Sequence, residues 1–170
     1  MLIRPLDPRT DRAQVDGFFA ASADYIRLER DADPSPQVTE EFFTDAPPGC
    51  DPAASLRLGL FDQSLAALAE LAFGYPMAQD AYLGLMMVAP AARGGGAGVV
   101  LLRHLQDAAR QRGMQNLYLG VLDANPRGRA FWEREGFRVV LADRPITLGQ
   151  KTQIAHRMGK SLLPKEEPLT

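Results

Sequence analysis

Val88-Ala89-Pro90-Ala91-Ala92-Arg93-Gly94-Gly95-Gly96-Ala97-Gly98 is the stretch on which the reading of this chain turns. It follows a nearly continuous apolar run, Ala81–Val88, bounded by Asp80 and Pro90. It precedes Gly98–Arg112, where Val99, Leu102, Leu105 and Ala109 form one stripe opposite Arg103, Gln106 and Arg110. The run reads as a central strand buried on both faces, and the stripe as an amphipathic helix closed by Gly113. Between them, four glycines in five residues let successive backbone N–H groups turn toward one anion, and the helix N-terminus adds about half a positive charge. The arrangement suits phosphate; a tight turn is the plainer alternative. No Gly-Lys-Ser/Thr ending closes a nucleotide-binding P-loop, and Val99 and Leu101 stand where a dinucleotide fingerprint needs its third glycine.

Outward from the loop, the spacing predicts a helix over Thr10–Glu29, a short helix over Val38–Thr44, and strands at Leu56–Phe61 and Leu65–Phe73 joined by a turn at Asp62-Gln63-Ser64. Downstream, Leu117–Leu122 reads as a strand. Pro126–Glu135 reads as a helix with Asn125 as N-cap, Pro126 at its first position and Gly136 as C-cap. Phe137–Ala142 and Gln153–Met158 read as two final strands with a turn near Gly149. Met1–Pro8 reads as a short strand closed by prolines. The expectation is one domain over residues 1–160, with residues 161–170 as a flexible tail.

Composition agrees with one globular domain: 170 residues, 46% hydrophobic and 24% charged. The single cysteine, Cys50, excludes an internal disulfide framework, and two histidines without clustered thiols or carboxylates do not make a metal site. A net charge of −2 lacks the footprint of a nucleic-acid binder. No apolar run reaches the roughly 20 residues of a membrane span, and no long apolar leader opens the chain, so a cytoplasmic location is expected. The charge is nonetheless polarised. Met1–Asp62 holds six basic and twelve acidic residues, whereas Arg93–Arg138 holds eight basic and four acidic. A positive segment suits a polyanionic ligand and a negative one a cationic partner.

Arg93-Gly94-Gly95-Gly96-Ala97-Gly98 resembles the Arg/Gln-x-x-Gly-x-Gly/Ala loop of the GCN5-related N-acetyltransferase (GNAT) family, which cradles the pyrophosphate of acetyl-coenzyme A. A second run, Asn125-Pro126-Arg127-Gly128-Arg129-Ala130-Phe131-Trp132-Glu133-Arg134-Glu135-Gly136-Phe137, is similar to the family's Asn-x-x-Ala-x-x-Phe-Tyr-x-x-x-Gly-Phe, with Ala130 one position late. The resemblance implies an α+β fold of α/β/α layers, with a mixed sheet of six or seven strands, a splayed central pair and about four helices. It implies contacts with acetyl-coenzyme A from Met86, Met87 and Val88, from Arg93, Gly94, Gly95, Gly96, Ala97 and Gly98, and from Asn125, Arg129, Phe131 and Trp132; Arg127 is a further candidate for the phosphates. It also implies direct acetyl transfer to an amine of a small molecule or peptide, without a metal. Members often dimerise, so a homodimer is an expectation. The alternative is a non-catalytic acyl-coenzyme A sensor.

The departures concern proton transfer. Trp132 stands where the family commonly has a tyrosine acid, and Tyr82 where many members have a glutamate base. Tyr82 reads either as a proton relay or as an aromatic wall of the acceptor pocket. Glu70 and Asp80, the nearest carboxylates in topology, are candidates for the base, though each reads more readily as a solvated or edge-facing residue. His156 reads as an edge-strand residue, and His104 as packing on the long helix. The resemblance places the acceptor beside the first two helices, where Tyr25 and Glu29, with Asp24, Glu40 and Glu41, favour a cationic amine.

Overall fold

In the computed structural model, which describes residues 1–166, one seven-stranded sheet runs through the chain. The strands are β1 (Leu2–Pro5), β2 (Leu56–Asp62), β3 (Ser64–Phe73), β4 (Asp80–Val88), β5 (Asn116–Leu122), β6 (Arg138–Leu148) and β7 (Lys151–Ser161). Their order is β1-β2-β3-β4-β5-β7-β6, and every neighbouring pair is antiparallel except β4 and β5. The five helices are α1 (Arg12–Ala21), α2 (Ala23–Arg30), α3 (Pro36–Thr44), α4 (Ala97–Gln111) and α5 (Pro126–Arg134). The α/β/α layering and the mixed sheet are those expected.

Two apolar cores hold the layers. On one face Leu101, Leu102 and Leu105 of α4 and Trp132 of α5 pack on Leu71, Leu83, Leu119 and Met158 of the sheet. On the other, Val15, Phe18 and Phe19 of α1, Ile26 of α2 and Phe42 of α3 pack on Leu68 and Met87. Phe19 meets Phe42 edge to face with centroids 6.0 Å apart, a geometry that adds to simple area burial.

Four local expectations are corrected. The helix expected over Thr10–Glu29 is two helices broken at Ser22, whose N–H donates back to the Phe18 and Phe19 carbonyls while its own carbonyl accepts from Tyr25. No glycine or proline marks the break; it lets Phe18, Phe19 and Ile26 all reach one core. The strand expected to stop at Ala142 continues to Leu148, because β6 is an edge strand where the missing N–H of Pro145 costs no ladder bond, and Asp143 takes a positive φ of 55° at an irregularity. Gln106, expected on the polar side of the long helix, is buried, and His104, expected to pack, is exposed. Ser161 belongs to β7 and Leu162 is buried with its N–H on the Gln115 carbonyl, so the expected tail does not begin at 161. Residues 167–170 of it lie outside the described residues.

The α5 start follows its local grammar. Asn125 Oδ1 accepts from the Gly128 N–H at 3.0 Å, and Pro126 occupies the first turn. Asn125→Ala is expected to cost about 1 kcal/mol, the usual worth of such a cap, read as a lowered unfolding midpoint by calorimetry.

Candidate active site

The sheet opens at its centre. β4 and β5 pair in parallel only from Asp80↔Asn116 to Leu83↔Leu119, and beyond that they part, leaving the β5-facing backbone of Leu85–Val88 without a strand partner. The parting coincides with an irregularity on the other side of β4. Glu70 of β3 pairs with Leu85, but the next residue, Leu71, pairs with Leu83, so Gly84 is an extra residue, a β-bulge. A bulge bends its strand and re-aims the side chains that follow. Here it turns Met86 and Val88 toward the α4 side and Leu85 and Met87 toward the α1–α3 side. The strand expected to be buried on both faces is therefore buried through Leu83 apart from the partly exposed Tyr82, and beyond it only Met87 is fully buried.

Into the gap opens a cleft of about 660 Å³, a size typical of ligand sites. Met86, Val88, Gly94, Gly96, Asn125 and Phe131 are among its lining residues. Gly94 and Gly96 hold φ of 81° and 85°, values that side chains rarely adopt. No side chain caps α4, so its first amides face the cleft unpaired by any cap. A Cβ on Gly98 would touch both the Phe131 ring and Val88 Cγ2 at 3.4 Å, so a larger residue there would narrow the cleft floor. This combination of free amides, positive φ and missing side chains fits a pyrophosphate.

Of the residues expected at the cofactor, Arg129 and Gly95 are absent from the cleft lining, while Arg93, Trp132 and Met87 line it but are also engaged elsewhere. Arg129 is absent from the cleft lining and pairs with Glu133 one turn on at 2.9 Å, because the helical period puts Arg127, Phe131 and Arg134 on the inner face of α5 instead. Arg93 lines the cleft, but its guanidinium is held by both carboxylate oxygens of Asp24, at 2.6 and 3.3 Å, and by the Val88 carbonyl at 3.2 Å. The contact ties the glycine loop to α2 and holds the Asp24 carboxyl below its usual range. Trp132 lines the cleft as well, but it is largely buried against Phe131 and Phe137, so most of its ring is core. Met87 lines the cleft but is buried in the core under α1–α3.

A second cavity, of about 310 Å³, lies under α2 and α3 and shares Gly84 and Leu85 with the first. Its lining carries Glu29, Glu41, Asp45 and Glu70 against one cation, Arg30, together with Tyr75 and Tyr82. Burial pushes the Glu29 carboxyl up, with Arg30 opposing and Glu41 adding. Burial likewise pushes up the Glu70 carboxyl, which is 6% exposed and whose Oε1 makes no hydrogen bond. Glu70 is thus neither solvated nor at an edge. Tyr82 stands edge to face with Tyr75 at 5.2 Å, its hydroxyl reaching over Gly120 of β5 where the strands part. Burial raises that hydroxyl above its ordinary value while Arg157, above both rings, draws it down. Tyr25 lines the first cleft beside Asp24, and burial together with Glu29 raises its hydroxyl.

Asp80 lies at the opposite end of β4, 5% exposed, accepting from the Met77 N–H at 3.2 Å and from Asn116 Nδ2 at 3.0 Å. It is in neither cavity lining, and its role is to close a turn. His156 is interior rather than at an edge, because β7 lies between β5 and β6. Its Nδ1 accepts from the Asp143 N–H and its Nε2 meets Asp123 Oδ1 at 2.8 Å. Glu40 pairs with Arg12 on the surface, away from both cavities. Gly84, Tyr75, Asp45 and Arg134 were not singled out from the sequence; only for Gly84, a lone glycine inside an apolar strand, was there a local signal.

Comparison with known proteins places this geometry. The chain is 36% identical over 75 residues to the streptothricin acetyltransferase of Streptomyces lavendulae, a match covering 44% of this chain and 40% of that protein. The match therefore spans less than half of that relative's length. In fold, the chain is similar to an acetyltransferase from Thermus thermophilus, with a TM-score of 0.73 and 24% identity over 95% of this chain and 97% of that one. It is also similar to an aminoglycoside 6'-N-acetyltransferase complexed with coenzyme A, with a TM-score of 0.71 and 18% identity over 98% of this chain and 100% of that one. Residues 20–137, well over half of the chain, match the acetyltransferase (GNAT) family as a whole, across both the glycine loop and the Asn125–Phe137 run. The chain belongs to the acetyltransferase (GNAT) family.

Proposed function

We propose that this protein is an N-acetyltransferase that moves the acetyl group of acetyl-coenzyme A directly to a primary amine of a cationic small molecule or peptide. One observation carries the reading: two cavities meet at Gly84 and Leu85, one lined by free amides, glycines and arginines, the other by four carboxylates. The first suits a polyanionic co-substrate and the second a cationic acceptor, so both are held at once across a shared junction. The similarity to a streptothricin acetyltransferase, and the fold shared with an acetyltransferase complexed with coenzyme A, support the co-substrate.

Acetyl-coenzyme A, as co-substrate, supplies an activated thioester. The backbone edge of Leu85–Val88 would hold its arm, the amides at Gly96–Gly98 with Arg127 and Arg134 its phosphates, and Asn125 the far side. Direct transfer is supported by the position of Cys50, which lines neither cavity and whose Sγ donates to the Phe73 carbonyl at 3.4 Å. Burial raises its thiol, which further disfavours a thiolate nucleophile. Among the described residues, no three His, Cys, Asp or Glu side chains are grouped to hold a metal. A cytoplasmic setting belongs to the same proposal, supported by the free thiol of Cys50.

The test is release of coenzyme A thiol from acetyl-coenzyme A across polyamines, aminoglycosides, amino acids and N-terminal peptides. Amine-dependent release is expected, strongest for acceptors bearing more than one positive charge. Tight coenzyme A binding with no release from any amine would favour the sensor reading, which the tryptophan at 132 and tyrosine at 82 motivate.

A further inference from the structure

Resting on the acetyltransferase reading, we infer that Glu70, reaching from β3 through the space left open by Gly84, takes the proton from the acceptor amine. The task thereby sits one strand away from Tyr82, where the resemblance would place it. Three features converge on this junction. Gly84 is the bulged residue of β4, the two cavities meet at it, and β4 leaves β5 immediately before it. A Cβ built on Gly84 would fall inside the Glu70 carboxylate, well under contact distance from Oε2. Gly84 does not have positive φ, so its backbone would accept alanine. The absent side chain is therefore needed for clearance alone. What it clears is a carboxyl only 6% exposed, whose Oε1 makes no hydrogen bond of ordinary length although the Ser55 hydroxyl faces the group. A buried acceptor is costly while unpaired, and an acceptor amine in the cavity would pair it.

The groups facing Glu70 are Ser55 just before β2 and Arg57 of β2, its ladder partner, which favour its charged form, Asp45 after α3, which opposes it, Cys50, and Tyr82 of β4. Tyr75 and, from α2 and α3, Glu29, Arg30 and Glu41 complete the cavity. In the step, an acceptor ammonium gives one proton to Glu70. The freed nitrogen lone pair forms the C–N bond to the thioester carbon, and the C–S bond breaks with its electron pair on sulfur. The second nitrogen proton ends on that sulfur. The N-acetylated amine and coenzyme A thiol result, and Glu70 returns its proton to water.

Because burial is the largest influence on Glu70, it loses its proton above the ordinary glutamate value of about 4.3. The rate should fall as pH drops through that raised value. Glu70→Gln should lower kcat by about 100-fold or more, the usual worth of a positioned base. Its pH profile should then climb toward the amine's own pKa. Gly84→Ala should reproduce the loss by displacing the carboxylate, and Glu70→Gln, which lies outside the cofactor cleft, should change coenzyme A affinity less than threefold. Two readouts do not depend on turnover. Carbon-13 titration of glutamate carboxyls should show raised resonances for Glu29 and Glu70, of which one vanishes in Glu70→Gln and the other stays. Moreover, a carboxyl whose folded pKa is raised destabilises the fold above that pKa, so Glu70→Gln should melt at or above the wild-type temperature near neutral pH. Turnover with an unchanged rate and pH limb in Glu70→Gln overturns the inference alone. Absence of thiol release by the wild-type protein with every amine overturns the acetyltransferase reading and the inference with it.

Discussion

Gly96→Glu is expected to abolish coenzyme A binding, with affinity falling at least 100-fold in a calorimetric titration. Two effects add. Gly96 holds φ at 85°, a left-handed value that costs a side-chain-bearing residue on the order of 1–2 kcal/mol. The larger effect is charge: Gly96 immediately precedes α4, where free amides and the helix dipole favour an anion. A carboxylate tethered there competes for the amides and repels phosphate. Gly96→Ala separates the terms, since it carries the backbone cost without the charge, and should lose far less affinity. An unchanged affinity in Gly96→Glu, with native circular dichroism, would overturn the assignment of the loop to phosphate.

The second large effect concerns Trp132. Its ring is 9% exposed and sits edge to face with Phe131 at 4.9 Å and with Phe137 at 5.4 Å, in the same core as Leu101 and Leu105 of α4. Trp132→Ala removes the centre of that aromatic cluster and should cost about 3–5 kcal/mol. For a domain of this size each kcal/mol lowers the midpoint by about 2–4 °C, so melting should begin ten degrees or so early. Trp132→Phe keeps an aromatic ring in the cluster and removes the indole N–H. It should retain kcat within about threefold, because an indole does not release a proton as an acid. A 100-fold loss of kcat in Trp132→Phe at an unchanged midpoint would instead assign the indole to the chemistry. Together the two substitutions decide whether the departure from the family's tyrosine is structural.

Much of the cofactor side was legible because its signals are local. A glycine loop between an apolar strand and an amphipathic helix says what backbone amides will do, whatever else surrounds it. Asn125-Pro126 announces a helix start that Asn125 Oδ1 then caps. The acceptor side was not, because its signals depend on partners distant in sequence. Glu70 reads as an interruption in an alanine-rich strand, and only the pairing of β3 with a bulged β4 buries it over Gly84. Asp80, equally acidic and equally near in topology, is drawn into a turn by Met77 and Asn116. Arg129 and Arg127 differ by two positions, and helical phase alone sends one to Glu133 and the other to the cleft. Arg93 reads as a phosphate ligand until α2 brings Asp24 against it, 69 residues away in sequence.

The amino-acid sequence by itself determined the family, the strand-loop-helix unit that fits pyrophosphate, and the polarity of the chain, acidic before β3 and basic after β4. These follow from backbone freedom, helix capping and periodicity, which act over a few residues. Only the tertiary structure decided where the central strands part, which carboxyl is buried beside Gly84, and which arginines face the cleft. Those outcomes depend on a one-residue change of register at Gly84 and on burial by α1–α3. Register and burial are properties of pairs of segments, and no single segment carries them.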